Sequence, residues 1–303
     1  MDLEHRYFYE VCQTRNMTKA AHNLYVSQPA LSTAIKKIEQ RLGVELFDRQ
    51  NNPLTLTEAG RIFLVETNKI RLAEQDLDHQ LADYKKSRVQ SLYIGSSQYF
   101  NAYYLPPVLK LYRQLHPHVR FKITERNAQL LNKELYAGNV DVVIHCGEKA
   151  NQLRRQAVQR DRLVLAVPKS LISATDFATI KDYLSHDKQQ KKAVSILNRL
   201  PFVALSSSNN LALVVNRLCG ELRFTPQPIL ESYQLETAFH MACCGVGATF
   251  ITNRIKDFAP IEGLYFADIN RDAAQRCYYA YTRRNAYQAK RLREFIDLLK
   301  TTN

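Results

Sequence analysis

At 303 residues, with 46% hydrophobic and 23% charged residues, the chain is long for one core and ordinary in composition, which predicts about two globular domains. No apolar run reaches the roughly 20 residues of a membrane span; the opening MDLEHRYFYE has acids and no apolar block, so no signal peptide is read and the expected compartment is the cytoplasm, where the six cysteines stay reduced. The net charge of +13 invites a nucleic-acid partner, yet residues 1–60 hold seven basic and seven acidic residues while 151–200 hold 10 and 4, so any DNA contact near the N-terminus rests on where its cations sit.

Leu3, Phe8, Val11 and Cys12 mark a first short amphipathic helix. Thr18 is read as the cap of a second, carrying Ala20, Ala21 and Leu24, whose small side chains let a neighbouring helix approach; Tyr25 and Val26 form the turn. Ser27 caps a third helix, with Pro29 in its first turn, where the N–H groups lack intrahelical partners, and Gly43 ends it. Leu31, Ile35, Ile38 and Leu42 share one face. Pro29, Thr33, Lys36 and Gln40 lie opposite, flanked by Ser32 and Lys37, with Gln28 at the tip. Amides and hydroxyls read base edges and lysines hold phosphates, so this face suits the major-groove helix of a helix-turn-helix. Leu46-Phe47 and Leu54–Leu56, around Asn51-Asn52-Pro53, predict a small hairpin, or wing, whose Arg49 reaches the DNA backbone or minor groove. Thr57 caps a long helix to about Arg88, in which Phe63, Ile70, Leu77 and Tyr84 recur every seven residues as a dimerisation seam.

From Leu92 short apolar strands alternate with helices: Leu92–Gly95, a helix near Tyr104–Leu115, Phe121–Thr124, a helix near Leu130–Tyr136, then Val140–Ile144. This order predicts a mainly parallel sheet. A second block holds strands at Leu163–Val167 and Phe202–Ser206, helices near Leu211–Leu222 and Leu235–Cys244, a late strand Tyr278–Tyr281 and a closing helix Ala289–Leu299. Two α/β lobes place a ligand cleft between them. Ser96-Ser97 and Ser206–Asn209 each follow a strand and precede a helix, where hydroxyls and free N–H groups favour an anion.

The N-terminal pattern resembles the LysR-type transcriptional regulators through Ala20-Ala21-x-x-Leu24, Val26 to Ser32, Ile35, Ile38-Glu39, Leu42-Gly43, Leu46-Phe47-x-Arg49 and Leu56 to Gly60. Looser matches are Leu105-Pro106, His116-Pro117, Gly138 to Asp141 and Gly245-Val246-Gly247, so the resemblance covers essentially the whole chain. It implies an α/β protein with an N-terminal all-α winged helix-turn-helix and a two-lobed, periplasmic-binding-protein-like α/β effector domain. The implied divisions are a DNA-binding domain at 1–60, a linker helix at 61–88 and an effector-binding domain at 89–303, with lobe I about 89–161 and 267–303 and lobe II about 162–266. The implied partners are double-stranded promoter DNA, a small-molecule effector, here expected to be anionic, and further copies of the chain in a homodimer or homotetramer. Gln28, Pro29, Ser32, Thr33 and Lys36 are the implied groove contacts. The implied effector loops carry Ser96, Ser97, Gln98, Arg126-Asn127, His145, Ser206 to Asn209, and Thr249.

Two departures stand out. The segment Ser170–Lys192 looks longer than the family connection and reads as a polar surface excursion. Cys219 has the spacing of the family's peroxide sensors, but the partner position nine residues earlier is Asn210, which argues against a disulfide switch. Cys243 and Cys244 read as small core residues, leaving Cys146, beside His145, as the thiol of interest. The alternatives are a redox-responsive regulator, an enzyme using His145 or Cys146, and a transport-type binding protein, which the N-terminal helices oppose. No phosphate loop, G-x-S-x-G or zinc spacing is present, so no catalytic residue, cofactor or metal is assigned.

Overall fold

The computed structural model describes residues 1–50, 53–84, 91–147, 152–207, 209–258 and 262–302, without the side chains of Ala82 and Phe258. The chain forms two compact units, Met1–Ser87 with Asn285–Ala289, and Arg88–Arg284 with Lys290–Asn303.

The first unit is three short helices, a two-stranded wing and a long helix. Asp2 caps α1 (Leu3–Thr14) through the N–H of His5. Asn16, not Thr18, caps α2 (Met17–Asn23), its side-chain Oδ1 accepting from the Lys19 N–H. The sequence offers two good capping residues there, and the turn after Arg15, at φ 50°, selects the earlier one. Ser27 caps α3 (Gln28–Leu42) as expected, and Gly43 ends it at φ 71°, a conformation that costs glycine little. Leu31, Ile35 and Ile38 are fully buried beside Phe8, Val11, Ala20, Ala21 and Phe47; Leu42, at the helix end, is exposed instead. Strands β1 (Phe47–Asp48) and β2 (Thr55–Leu56) pair antiparallel as the wing; Asn51 and Asn52 of its turn lie outside the described residues. Thr57 caps α4 (Glu58–Tyr84) through the Gly60 N–H at 2.9 Å. Gly60 permits a close approach, because a Cβ there would sit 2.0 Å from the Leu46 carbonyl oxygen. Phe63, expected in the seam, turns inward to meet Phe8 edge-on at 4.8 Å. Ile70, Leu77 and Tyr84 are exposed; the expected continuation of the helix to Arg88 falls outside the described residues.

In the second unit β3 (Ser91–Ser96) lies between β4 (Arg120–Glu125) and β5 (Val142–His145), all parallel. The connections are α5 (Gln98–Tyr103) and α6 (Leu105–Leu115), where one helix was expected, then α7 (Ala128–Tyr136). Next comes the 16-residue strand β6 (Leu153–Pro168), of which only Leu163–Val167 was foreseen. After it run α8 (Ala174–His186), α9 (Gln190–Leu197), β7 (Pro201–Leu205), α10 (Asn210–Glu221), β8 (Gln227–Ser232), α11 (Leu235–Cys243), β9 (Thr249–Thr252), α12 (Asn253–Phe258), β10 (Leu264–Asp268), β11 (Gln275–Arg283) and α13 (Lys290–Thr301). From Leu153 to Arg162, β6 pairs antiparallel with β11, which in turn pairs with β5; from Leu163 onward it pairs with β9 and β10. One strand therefore passes from lobe to lobe, and the segment from Ile269 to Ala274 returns.

The segment Ser170–Lys192 is not a mere polar excursion. Most of it is α8, whose Phe177, Thr179, Ile180, Tyr183 and Leu184 are buried in the second lobe, while Lys181 and Asp182 between them face water. Cys244 likewise departs from expectation: it is exposed just beyond α11, and Cys243 is half-buried.

Candidate functional site

The outward face of α3 is set by its inward one. With Leu31, Ile35 and Ile38 fully buried, helical geometry turns Gln28, Pro29, Thr33, Lys36, Lys37 and Gln40 outward, all exposed, and leaves Ser32 half-exposed at the margin. A residue unforeseen at this helix holds the wing. Glu39 is buried, and its Oε1 accepts from the backbone N–H groups of Leu46 at 2.9 Å and Phe47 at 3.3 Å. Its Oε2 accepts from Arg49 Nη2 at 2.7 Å. Arg49 is thus fixed at the base of the wing with its side chain still 39% exposed.

The second candidate site is a cavity of about 390 Å³ between the lobes. It brings together Ser97, Gln98, Arg126, Asn127, His145 and Asn209 of the expected residues, with Cys146. The wall from the second lobe is Asn209, Tyr233 and Glu236 rather than the expected serines. Ser97, Asn127 and Asn209 cap α5, α7 and α10, each accepting a backbone N–H of its own helix, so three helix N-termini open onto the cleft.

Its floor was not foreseen. Arg276 and Tyr278 of β11 line it with Tyr99. The Arg276 side chain is 10% exposed; Nε lies 3.5 Å from Asp161, and Nη2 donates to Tyr278 Oη at 2.5 Å and to Cys146 Sγ at 3.5 Å. Among the described residues, Nη1 is buried with no hydrogen-bond partner. Tyr99 Oη donates to Asp161 Oδ2 at 3.3 Å and meets the Thr252 hydroxyl. Burial pushes the Asp161 carboxyl up against the opposing pull of Arg276, and pushes the Tyr99 and Tyr278 hydroxyls up as well. Glu236 also rises, through burial and the nearby Glu125, and both its carboxyl oxygens are buried without partners among the described residues. His145 stacks on Tyr281 at 4.3 Å and bonds Asn132 Oδ1 through Nε2 at 3.0 Å. Burial lowers its pKa to about 4, keeping it neutral, and pushes the Cys146 thiol up.

Four expected cleft residues lie elsewhere. Ser96 is fully buried at the end of β3 against Asn101, because the strand register turns it into the sheet. The Ser206 N–H donates to the Ser232 carbonyl at 2.8 Å, and Ser206 does not line the cleft. Ser207 and Thr249 line a separate cavity of about 250 Å³ against α10 in the second lobe, where the Thr249 hydroxyl donates to the Val203 carbonyl at 2.9 Å. Ser208 lies outside the described residues. Cys219 is buried on α10, its thiol pushed up to about 12 by desolvation.

Comparison with known proteins agrees with both halves. The bacterial regulatory helix-turn-helix family of LysR type matches residues 4–61, and the LysR substrate binding domain matches residues 85–303. An uncharacterized HTH-type transcriptional regulator, YcgK, of Bacillus subtilis is 28% identical over 299 residues, covering 96% of this chain and 91% of the relative. A probable RuBisCO transcriptional regulator of Trieres chinensis is 28% identical, covering 80% and 77%. Among solved structures, a full-length OxyR variant from Pseudomonas aeruginosa superposes with a TM-score of 0.71 at 19% identity, covering 99% of this chain and 97% of that one. Full-length CbnR complexed with its target DNA does so with a TM-score of 0.65 at 18% identity, covering 99% of each. These likenesses carry the fold, and the family matches carry the assignment: the chain belongs to the LysR family of transcriptional regulators, with a helix-turn-helix DNA-binding domain followed by a two-lobed effector-binding domain.

Proposed function

We propose that this regulator reads promoter DNA with the outward face of α3 and changes its grip when a small organic anion fills the interlobe cleft. One observation carries the reading: a helix whose aliphatic side is sealed in the core exposes an amide, a hydroxyl and two lysines where a groove-reading helix needs them. Gln28, Pro29, Ser32, Thr33 and Lys36 face base edges; Lys37 and the free part of Arg49 hold phosphates. Exposed Ile70, Leu77 and Tyr84 on α4 support a homodimer, and pairs of dimers a homotetramer. The divisions at 1–60, 61–88 and 89–303 follow these roles, and the cytoplasm is the proposed compartment.

In the cleft, the unpartnered Nη1 of Arg276 and the N-termini of three helices favour a carboxylate, while the partnerless oxygens of Glu236 favour a donor at the other end of the ligand. The regulatory reading is preferred to an enzymatic one because the groups an enzyme would use are set against it. His145, with a pKa of about 4, is a poor base at neutral pH, and the raised Cys146 thiol is a poor nucleophile. The test is a mobility-shift series with the full chain on its promoter. Gln28→Ala or Thr33→Ala is expected to weaken specific binding by about 1–3 kcal/mol while non-specific binding persists. Equal loss on specific and unrelated duplexes would remove base reading from α3.

A further inference from the structure

We propose that the hinge face of the effector domain carries a second, separate anion site, suited to a small phosphate-bearing molecule and held by Arg160, Arg162 and Arg271. Residues 1–60 are neutral by count, so the formal +13 of the chain is carried by the rest, and the segment 151–200 alone has 10 basic against 4 acidic residues. DNA reading by α3 leaves that excess unexplained. The structure gathers part of it at one place.

Arg160 and Arg162 stand two apart on β6, opposite Cys277 and Gln275 of β11, at the end of the β6–β11 pairing and just before β6 joins β9 and β10. Strand alternation sends both to one side. Asp161 between them goes to the other, fully buried against Arg276 and Tyr99. The strand thus separates the acid from the two cations beside it in sequence. Both arginines are exposed and neither is ion-paired among the described residues.

They line an open pocket of about 340 Å³ with Asp161, whose carboxylate is itself buried, and with Asn253, Ile269, Asn270, Arg271 and Gln275. Arg271 comes from the segment that returns between the lobes, positioned by donating from Nη2 to Asp187 at 2.8 Å. Asn253 is fixed by accepting the Arg162 backbone N–H at 3.0 Å. The nearby acids are engaged: Asp187 with Arg271, and Asp272 with the Gln275 amide at 3.4 Å. Guanidinium forks match the oxygens of a phosphate, and two guanidinium groups free of ion pairs among the described residues, beside a third already paired with Asp187, suit a multivalent anion better than a single carboxylate. Such an occupant would touch both chain passages between the lobes, so its binding would bias how far the lobes close, independently of what fills the cleft.

The full chain would be titrated calorimetrically with sodium pyrophosphate in about 0.1 M NaCl, where diffuse surface attraction is screened. The expected result is saturable binding at one site per chain, weakened about tenfold or more in Arg160→Gln/Arg162→Gln, both exposed and tolerant of substitution. Lys191→Gln/Lys192→Gln, which removes the same charge from α9, and Arg126→Gln at the cleft should leave it unchanged. Three results would overturn the proposal. The wild-type chain shows no saturable binding; the lysine pair weakens it as much as the arginine pair; or the arginine pair leaves pyrophosphate binding intact and instead lowers the salt dependence of DNA binding, which would make the patch a contact for the DNA backbone.

Discussion

Glu39 and His145 show how single side chains carry this structure. The Glu39 carboxylate joins α3 to the wing, and Glu39→Ala would leave the buried N–H groups of Leu46 and Phe47 unpaired. The expected cost is about 1–3 kcal/mol for each such group, read by urea unfolding followed by circular dichroism, with faster amide exchange at 46 and 47. His145 is buried neutral, its pKa lowered from 6.5 to about 4. The unfolded chain therefore binds the proton first as pH falls, and stability is full above about 6.5 and lost progressively toward about 4, by roughly 3 kcal/mol in all. His145→Gln should flatten the pH dependence of the melting temperature in that window; an unchanged slope would place the titration elsewhere. The Ser27 cap, the Gly43 stop and the Leu31, Ile35, Ile38 stripe were legible because each depends on neighbours within a turn or two. Glu39 and Arg276 were not, because what makes them structural arrives from elsewhere in the chain: Leu46 to Arg49 for one, Tyr99 and Asp161 for the other. A charged residue within the strand QRCYYAYTR was the available signal for Arg276.

The elements were read well where one period ran uninterrupted and poorly where it did not. Helix α8 hid because its buried residues are diluted by lysine, aspartate and serine, and β6 was seen only where both its faces are apolar, since its first half mixes exposed arginines with buried positions in no regular period. Strands β8, β9 and β10 were also unread; β8 is largely exposed, so no buried face marks it. Helix α4 makes the clearest demand on a partner. Leu77 is 53% exposed and Tyr84 86%, on an element with no apolar surface of its own to cover them. Leu77→Asp should shift the sedimentation of the chain toward a smaller species at micromolar concentration and weaken DNA binding with it. Unchanged sedimentation would remove α4 from the dimer interface. Gly60→Ala should destabilise the first unit by about 1–3 kcal/mol, because the added methyl meets the Leu46 carbonyl.

For the whole molecule, the architecture of a winged helix-turn-helix and a two-lobed α/β domain was legible from the order of elements and the family motifs, whereas the cleft was legible only in part. Ser97, Gln98, Asn127 and His145 follow strands of the first lobe and line it. The second lobe contributes through Asn209, Tyr233 and Glu236, because Ser207 and Thr249 open onto a different cavity. A bound organic acid should raise the melting temperature of the effector domain, with about 2.7 kcal/mol of stabilisation at a hundred times its Kd. Glu236→Gln should reduce that gain for ligands bearing an ammonium group and spare those without one. The claim on which the molecule's role rests is that α3 reads sequence. It is tested most directly by selecting binding sites from a random duplex pool with the wild-type chain and with Gln28→Ala/Thr33→Ala. The account predicts a defined wild-type consensus that degrades at particular positions in the variant. The same consensus from both proteins would contradict it.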